Sequence, residues 1–466
     1  MSNEPKNENM LKSITKELTQ PFIDLAHTSR ALFGLNLSYV LEGLTYFGVL
    51  SLLAMFFNQI GLDDIKAGNM VGILTGGITL SMLFLGATVD WIGLRKSFLI
   101  SLSLMLVGRF LIAFSPSAGG NGLWGGAHII AMIGILGIIL GYGIYQPAAY
   151  AGVKQLTTEK TAGMGYAMLY ALMNLGGFLP GLISPPLRQN FGITGVFYAY
   201  VGLTVVGIIV VAFIMSKKSI EKALDEIKKS EGKESDNYVS EEDDDLSNMS
   251  FKEKSKYYFK NFPLRDLRFL FFIFILIPVQ TLFAHNWLTL PQYTARAFDG
   301  FVSENFEFFV NLNPILIFIL TPMVAALTSK KNTYTMMILG TFVMAFPTFI
   351  LALGPTLTNL MLYLVLMTIG EAMWQPRFLQ WVAEIAPKNM TGIYMGIGQF
   401  PWFLTKIITS LYSGWFLIQY CPENAAPSTM NTQMMWLIYG FIAIISPFGL
   451  LLARKWMVKG FKTKHV

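Results

Sequence analysis

Long apolar runs recur through this chain, and no other feature narrows its possible folds so far. Twelve can be marked, at 31–57, 67–89, 97–114, 125–150, 162–187, 194–216, 267–293, 308–328, 332–353, 356–384, 391–418 and 433–453. Each has roughly the 20 residues that an α-helix needs to cross ~30 Å of hydrocarbon. Inside a bilayer every backbone N–H and C=O must be satisfied within the protein, so only helices and closed barrels can span it. The runs are continuous and lack the ~10-residue alternating segments of a barrel strand. Composition agrees: 53% of the 466 residues are hydrophobic and 13% are charged, against about 25% charged in a soluble domain. The fold class expected is an all-α membrane protein with twelve transmembrane helices.

The one long polar stretch, 217–266, separates the sixth run from the seventh. Its sequence, KKSIEKALDEIKKSEGKESDNYVSEEDDDL over 217–246, is too polar to bury a core. A flexible charged linker with room for one short helix is expected. The organisation read from this is a segment 1–30, a six-helix bundle over 31–216, the linker 217–266, a second six-helix bundle over 267–453 and a tail 454–466.

Orientation follows from the positive charges, which accumulate on the cytoplasmic side of membrane proteins. With the N-terminus inside, the inner segments hold 28 of the 34 Lys and Arg, Arg268 at the mouth of the seventh run included. The outer loops hold three: Lys66, Arg188 and Arg296. Both termini are therefore expected in the cytoplasm. The first 30 residues lack the uninterrupted apolar core of a cleavable signal peptide, and an inner-membrane, multi-pass location is expected. The net charge of +6 reads as topology, so no nucleic-acid partner is implied.

One cysteine, Cys421, leaves no disulfide framework and no thiolate metal cluster within the chain. His27, His128, His285 and His465 are scattered, so neither a metal site nor a catalytic constellation is expected. No selectivity-filter loop stands out, which argues against a channel.

The halves resemble each other. A shift of 229 residues lays GYGIYQPAAY (141–150) over GEAMWQPRFL (370–379), pairing Gly141 with Gly370, Tyr145 with Trp374, Gln146 with Gln375 and Pro147 with Pro376; Gly163 meets Gly392 further on. Internal repeats of this kind build transporters whose site lies near the midplane, between the halves. The stretch 369–387 draws attention for the same reason. It puts Glu371, a Gln-Pro pair and Arg377 in an apolar run, where each charge costs about 2.5–3.5 kcal/mol on insertion scales and is usually turned to a cavity or a partner.

After the second run comes GATVDWIGLRK (86–96). Gly86, Asp90, Gly93, Arg95 and Lys96 resemble the cytoplasmic gating loop of the major facilitator superfamily. The resemblance implies its fold, two six-helix bundles that rock about a central site. Other stretches look like one branch, the proton-dependent oligopeptide transporters: Tyr170, Asn174, Gly176 and Gly177 in the fifth run, and Asn313, Pro314 and Pro322 in the eighth. Gln280 to Trp287 in the seventh and Gly370, Glu371 and Pro376 in the tenth are also similar to it. The resemblance implies that Glu371 engages a peptide's amino end. It also implies departures. In YVLEGLTYFG (39–48), Glu42, Tyr46 and Gly48 fit the family's first helix, but Tyr39 stands for an acid and Gly43 for an arginine. Gln146 stands for the lysine of the fourth helix. The cations that the family uses near a peptide carboxylate and in proton coupling are absent.

The candidates for proton coupling are Glu42, Glu371 and His285. Those for substrate binding are Tyr46, Gln146, Asn174, Gln280, Trp287, Glu371, Arg377 and Lys406. Several carry two readings. Glu371 and Lys406 lie at similar depth, as a structural ion pair or as binding groups. Arg377, six residues and ~9 Å beyond Glu371, either clamps a carboxylate or snorkels to the interface. Glu42 is a proton site or a packing acid, and His285 a titrating group or a satisfied core histidine. Arg109, towards the outer end of its run, is expected to snorkel.

The function expected is secondary active transport by alternating access, as proton-coupled symport of small peptides or peptide-like organic solutes. Export or exchange of an unrelated organic amine or ion is the alternative, and a non-transporting nutrient sensor could keep the same fold. No cofactor is implied beyond the proton gradient. The expected partners are a small-molecule substrate and membrane lipid, with the monomer as the working unit.

Overall fold

The computed structural model describes residues 29–231 and 262–458, apart from positions 87, 158, 329–330, 386–393, 395–396 and 399. The segment 1–28, most of the linker, the tail from 459 and the Gly163–Gly392 pairing lie outside what is described.

All regular structure among the described residues is helical. The first four spans are Arg30–Gln59, Asp64–Leu85, Leu94–Phe114 and Gly126–Leu156. The fifth runs through Glu159–Phe178 and on from Pro180. Within the long helix Pro180–Phe213, Gly192 adopts φ 68° and ψ 179°, a conformation open mainly to glycine, and there the chain turns into the sixth span. The seventh is broken into Leu267–Ile275, Ile277–Leu288 and Leu290–Ala297, with Pro278 and Pro291 just after the breaks. Such breaks are tolerated in a membrane where side chains re-satisfy the backbone: the Val279 N–H donates to Ser446 Oγ at 2.9 Å. The eighth to twelfth spans are Leu312–Thr328, Thr333–Ala345 with a further turn Thr348–Leu351, Leu357–Ile385, Phe400–Tyr420 and Thr432–Val458.

Eight of the described helical stretches are individually long and apolar enough to cross a bilayer, and one of them, 168–213, serves two spans. The spans that fall short are the second, eighth and eleventh. The second and eleventh pack against each other between the halves, and the eighth packs against the fifth. A helix shielded by protein on its inner face has less need of an all-apolar surface. The second span instead carries Gly68, Gly72 and Gly76 towards the eleventh: a Cβ on Gly72 would lie 2.1 Å from Ser410 Oγ. On the eleventh, a Cβ on Gly414 would lie 2.3 Å from the Asp64 carbonyl oxygen. Small residues let helices meet backbone to backbone in lipid.

Within the first half, the third span packs on the fourth and the first on the fifth and sixth; in the second half the ninth packs on the tenth. The repeat is visible in atoms. Gly141 faces Met105 and Ser101 of the third span, as Gly370 faces Met344 and Gly340 of the ninth. Their partners Tyr145 and Trp374 are both fully buried. After the sixth span, an amphipathic helix, Lys217–Glu231, leans on the first and fourth spans.

Candidate functional site

The loops at one end of the molecule, the outer end, are poor in Lys and Arg. There the halves are bound together by charge. Arg296, at the end of the seventh span, donates from Nη1 to Asp64 Oδ2 (2.6 Å) and from Nη2 to Asp64 Oδ1 (2.8 Å) at the start of the second. Nη1 also reaches the Cys421 carbonyl at 3.0 Å. The bidentate carboxylate supplies the counter-charge that lets this guanidinium be buried. Asn58 extends the cluster, donating to Asp64 Oδ1 at 2.9 Å and accepting from Gln292 Nε2 at 2.7 Å. A second pair joins Arg188 to Glu307, whose side chain is fully buried, and the Arg188 guanidinium lies over the Phe306 ring. These residues close the outer end. Sequence reading counted Arg188 and Arg296 only as loop charges; the available signal was the opposite charge on the few acids of the same loops.

Beneath this closure lies a small, mostly apolar cavity of about 50 Å³, into whose lining Ser51, Asn286, Trp287, Asn311 and Asn313 bring polar groups. The Trp287 Nε1 and Asn286 Oδ1 are buried without a partner there. Asn313 leads from this cavity to Glu371. Its Nδ2 donates to Glu371 Oε2 at 2.8 Å and to Thr368 Oγ1 at 2.9 Å. Glu371 is 6% exposed, and Tyr170 of the fifth span lies within its electrostatic reach from the other half.

The Glu371–Lys406 ion pair entertained from the sequence does not form. Glu371 is held by an amide instead. Among the described residues Lys406, half-buried on the eleventh span, has neither an acid nor a hydrogen-bond partner. Arg377 does not approach Glu371 either. Its Nη2 donates to the carbonyl of Thr328 at 3.0 Å, the last residue of the eighth span, which favours a cation at a helix C-terminus.

Glu42 has a partner that the sequence reading set aside. Arg109 is 2% exposed and does not snorkel. It grips Glu42 with both terminal nitrogens, Nη1 at 3.0 Å from Oε2, and its Nη1 also bonds Thr204 Oγ1 at 2.7 Å. Three spans of the first bundle are thereby tied together. The rule that intramembrane charges seek one another was the signal for this pair. Tyr46 lies beside it, its ring 4.7 Å from that of Tyr142.

Among the uncharged candidates, Gln146 donates to Tyr39 Oη at 2.8 Å and to Tyr150 Oη at 3.2 Å, leaving its own Oε1 buried and unpartnered. Tyr39 thus joins the first span to the fourth through Gln146. Asn174 donates to its own helix, at the Tyr170 carbonyl. Gln280 accepts from Thr405 at 3.4 Å, tying the seventh span to the eleventh. His285 is fully buried, bonded through Nδ1 to Thr289 (2.7 Å) and through Nε2 to Tyr412 (3.0 Å), with its ring stacked on Tyr439. Both ring nitrogens are thus satisfied within the core.

In the loop after the second span, Gly93 takes φ 81°, and Arg95 Nη2 bonds the Ala212 carbonyl at the end of the sixth span at 3.1 Å. Gly86 closes the second span and Lys96 is exposed; the Asp90 side chain lies outside the described set.

Comparison with known proteins fits this architecture. The sequence profile of the Major Facilitator Superfamily matches residues 35–410. The peptide transporter YePEPT of Yersinia enterocolitica subsp. palearctica serotype O:3 (strain YE-P4) is 28% identical over 170 residues, which are 34% of this chain and 32% of that protein. The match thus spans about a third of the relative's length. The structure of a peptide transporter POT in complex with sulfate superposes with a TM-score of 0.68 at 18% identity, over 92% of this chain and 95% of the other. A POT family transporter in complex with 5-aminolevulinic acid gives 0.67 at 18% identity, over 92% and 96%. At such identities the likeness establishes the shared fold.

Proposed function

The chain belongs to the Major Facilitator Superfamily, and from that premise we propose that it is a secondary transporter performing proton-coupled symport of small peptides or peptide-like solutes. One observation carries the reading. Of the four buried carboxylates among the described residues, Glu42, Asp64 and Glu307 are each paired with an arginine, and Glu371 alone has no cation. A buried carboxylate without a counter-charge either takes a proton or receives a cationic group from a ligand. Glu371 can do both in turn, which is the exchange that symport requires. Lys406 is the complementary group, a half-buried cation without an acid among the described residues. A solute with an amine and a carboxylate would satisfy both. The bundles rock about this level, and the charged outer closure must open once in each cycle.

The similarity to peptide transporters supports peptides as cargo. The missing cations at Gly43 and Gln146 support a second reading, in which the solute is an amine without a carboxylate. Proteoliposomes with an imposed pH gradient decide between them. Saturable uptake of labelled di- and tripeptides that is lost in Glu371→Gln and weakened in Lys406→Gln establishes the first reading. Amine uptake that needs Glu371 and is indifferent to Lys406→Gln establishes the second. Binding without flux in folded protein would make the chain a sensor.

We also take the end with the charge-rich loops to be cytoplasmic, with both termini there, in an inner membrane. The unit boundaries near 216 and 267 and a monomeric working unit belong to the same proposal.

A further inference from the structure

Where the first span begins and the sixth ends, a cavity of about 410 Å³ opens. That volume falls in the ~300–1,000 Å³ range of cavities that hold small ligands. Arg30, Lys218 and Lys222 line it, against a single acid, Glu226. Lys222 is loosely paired with Glu226 at 3.8 Å, a surface contact of little strength. Among the described residues, Arg30 and Lys218 have no acidic partner.

The cations are held on a fixed frame. Met215, just before the amphipathic helix, is fully buried and lies so close to Gly34 of the first span that a Cβ there would come within 2.8 Å of it. Ala223, one turn beyond Lys218 and Ser219, is 2% exposed. Ser216 Oγ accepts the Ser219 N–H at 3.2 Å and fixes the start of the helix. The helix therefore cannot swing Lys218 and Lys222 away from Arg30 without leaving its seat.

We propose that this cavity binds the phosphate of an anionic phospholipid head group. A guanidinium and two ammonium groups around one opening suit phosphate oxygens, the arginine as a planar fork and the lysines as point charges. The position selects the lipid as the source. Arg30 is the first residue of a membrane helix and Phe213 the last of another, so the cavity sits where head groups lie. Its end of the molecule is the one rich in Lys and Arg, facing the leaflet that attracts basic segments. This assignment is independent of the transported solute.

The test uses the full chain in phosphatidylcholine vesicles with and without phosphatidylglycerol. Lipid binding is followed by native mass spectrometry and by the shift in apparent Tm. Each cation near an anionic surface contributes roughly fivefold to affinity, so R30Q/K218Q/K222Q is expected to weaken phosphatidylglycerol binding about a hundredfold. The Tm shift produced by that lipid should be largely lost. All three side chains are exposed, so the variant is expected to fold, as its Tm in phosphatidylcholine alone will report. The control, K228Q/K455Q, removes exposed charge at the same end but outside the cavity and should keep the shift. An equal shift in the triple variant and wild type would overturn the proposal, as would an equal loss in the control. Inorganic phosphate in pure phosphatidylcholine is the third arm. Full stabilisation by free phosphate, with nothing added by phosphatidylglycerol, would overturn the lipid assignment.

Discussion

Replacing Asp64 by Asn should loosen the outer closure without reshaping it. The carboxylate and the Arg296 side chain are only 6% and 7% exposed in the closed molecule. Removing one partner of a buried pair costs about 3–5 kcal/mol, because the other charge is left stranded. Here the cost is partly offset. Glu423 already stands 3.9 Å from Arg296 Nη2 and is 60% exposed, so it can move in as a weaker counter-ion, leaving about 2 kcal/mol of net loss. In the outer-open state both side chains meet water and the substitution costs little. The closed state is thus penalised selectively, and the open-to-closed ratio should rise about thirtyfold. The Arg188–Glu307 pair stays intact, which keeps the effect graded.

Ser51 provides the readout. It is 3% exposed on the first span and lines the small cavity under the closure. With Cys421 replaced by Ser, a Ser51→Cys thiol is the single reactive group in the chain. Its modification by a membrane-impermeant maleimide added from outside reports how often the outer end opens. Asp64→Asn should speed that modification by about an order of magnitude or more, and Asp64→Asn with Arg296→Gln should fall back towards the parent rate. An unchanged rate in folded protein would refute the reasoning, since a closure held by this pair cannot ignore its loss.

Other consequences follow from the same contacts. Arg109→Met strands Glu42 and should destabilise the first bundle by about 3–5 kcal/mol; Arg109→Met with Glu42→Gln should recover part of the lost Tm. Gly72→Leu forces a side chain into the space of Ser410, and should abolish the outer-closed state, and with it uptake, while leaving insertion into the membrane intact. Burial pushes the Cys421 thiol up to about 12, so wild-type protein should resist maleimide at pH 7 and react fully once denatured.

The fold was legible because it is set by the bilayer, and a solvent that forbids unsatisfied backbone writes its demands as runs of apolar residues. The fourth span runs on to Leu156, past the expected end at 150, and elsewhere the larger departures come where the backbone does something local. Pro278 and Pro291 cut the seventh span into three, and Gly192 ends the fifth. Site residues were harder to place, since position along a helix gives depth and not azimuth. Glu371 and Lys406 share a depth, yet they do not pair. Arg109 and Glu42 lie 67 residues apart and do. Arg377 was within reach of either of its two readings until the end of the eighth span supplied a carbonyl. Which face each charge presents depends on how the spans rotate against one another, and that is decided by small-residue contacts such as Gly72 with Ser410, which carry no charge signal.

On the proposed reading, the charge pattern favours Glu371 as the coupling group. In the first bundle, Glu42 is neutralised by Arg109 within the same bundle, and Gln146 is bonded to Tyr39. Neither arrangement crosses to the other half, so rocking of the bundles leaves both intact. Asp64 and Glu307 do cross, but at the outer rim, where they report the state of the closure. Glu371 differs from all of these. It belongs to the second bundle, lies within electrostatic reach of Tyr170 of the first, and is tied through Asn313 to the cavity beneath the closure. Movement of the fifth span against the eighth and tenth changes its surroundings directly. A proton that must feel both the gate and the cargo has this one buried carboxylate to use among the described residues. Glu371→Gln should therefore abolish gradient-driven uptake, whereas Glu42→Gln made together with Arg109→Met should retain coupling at reduced stability. Retained coupling in the first variant and its loss in the second would move the proton site to the first bundle.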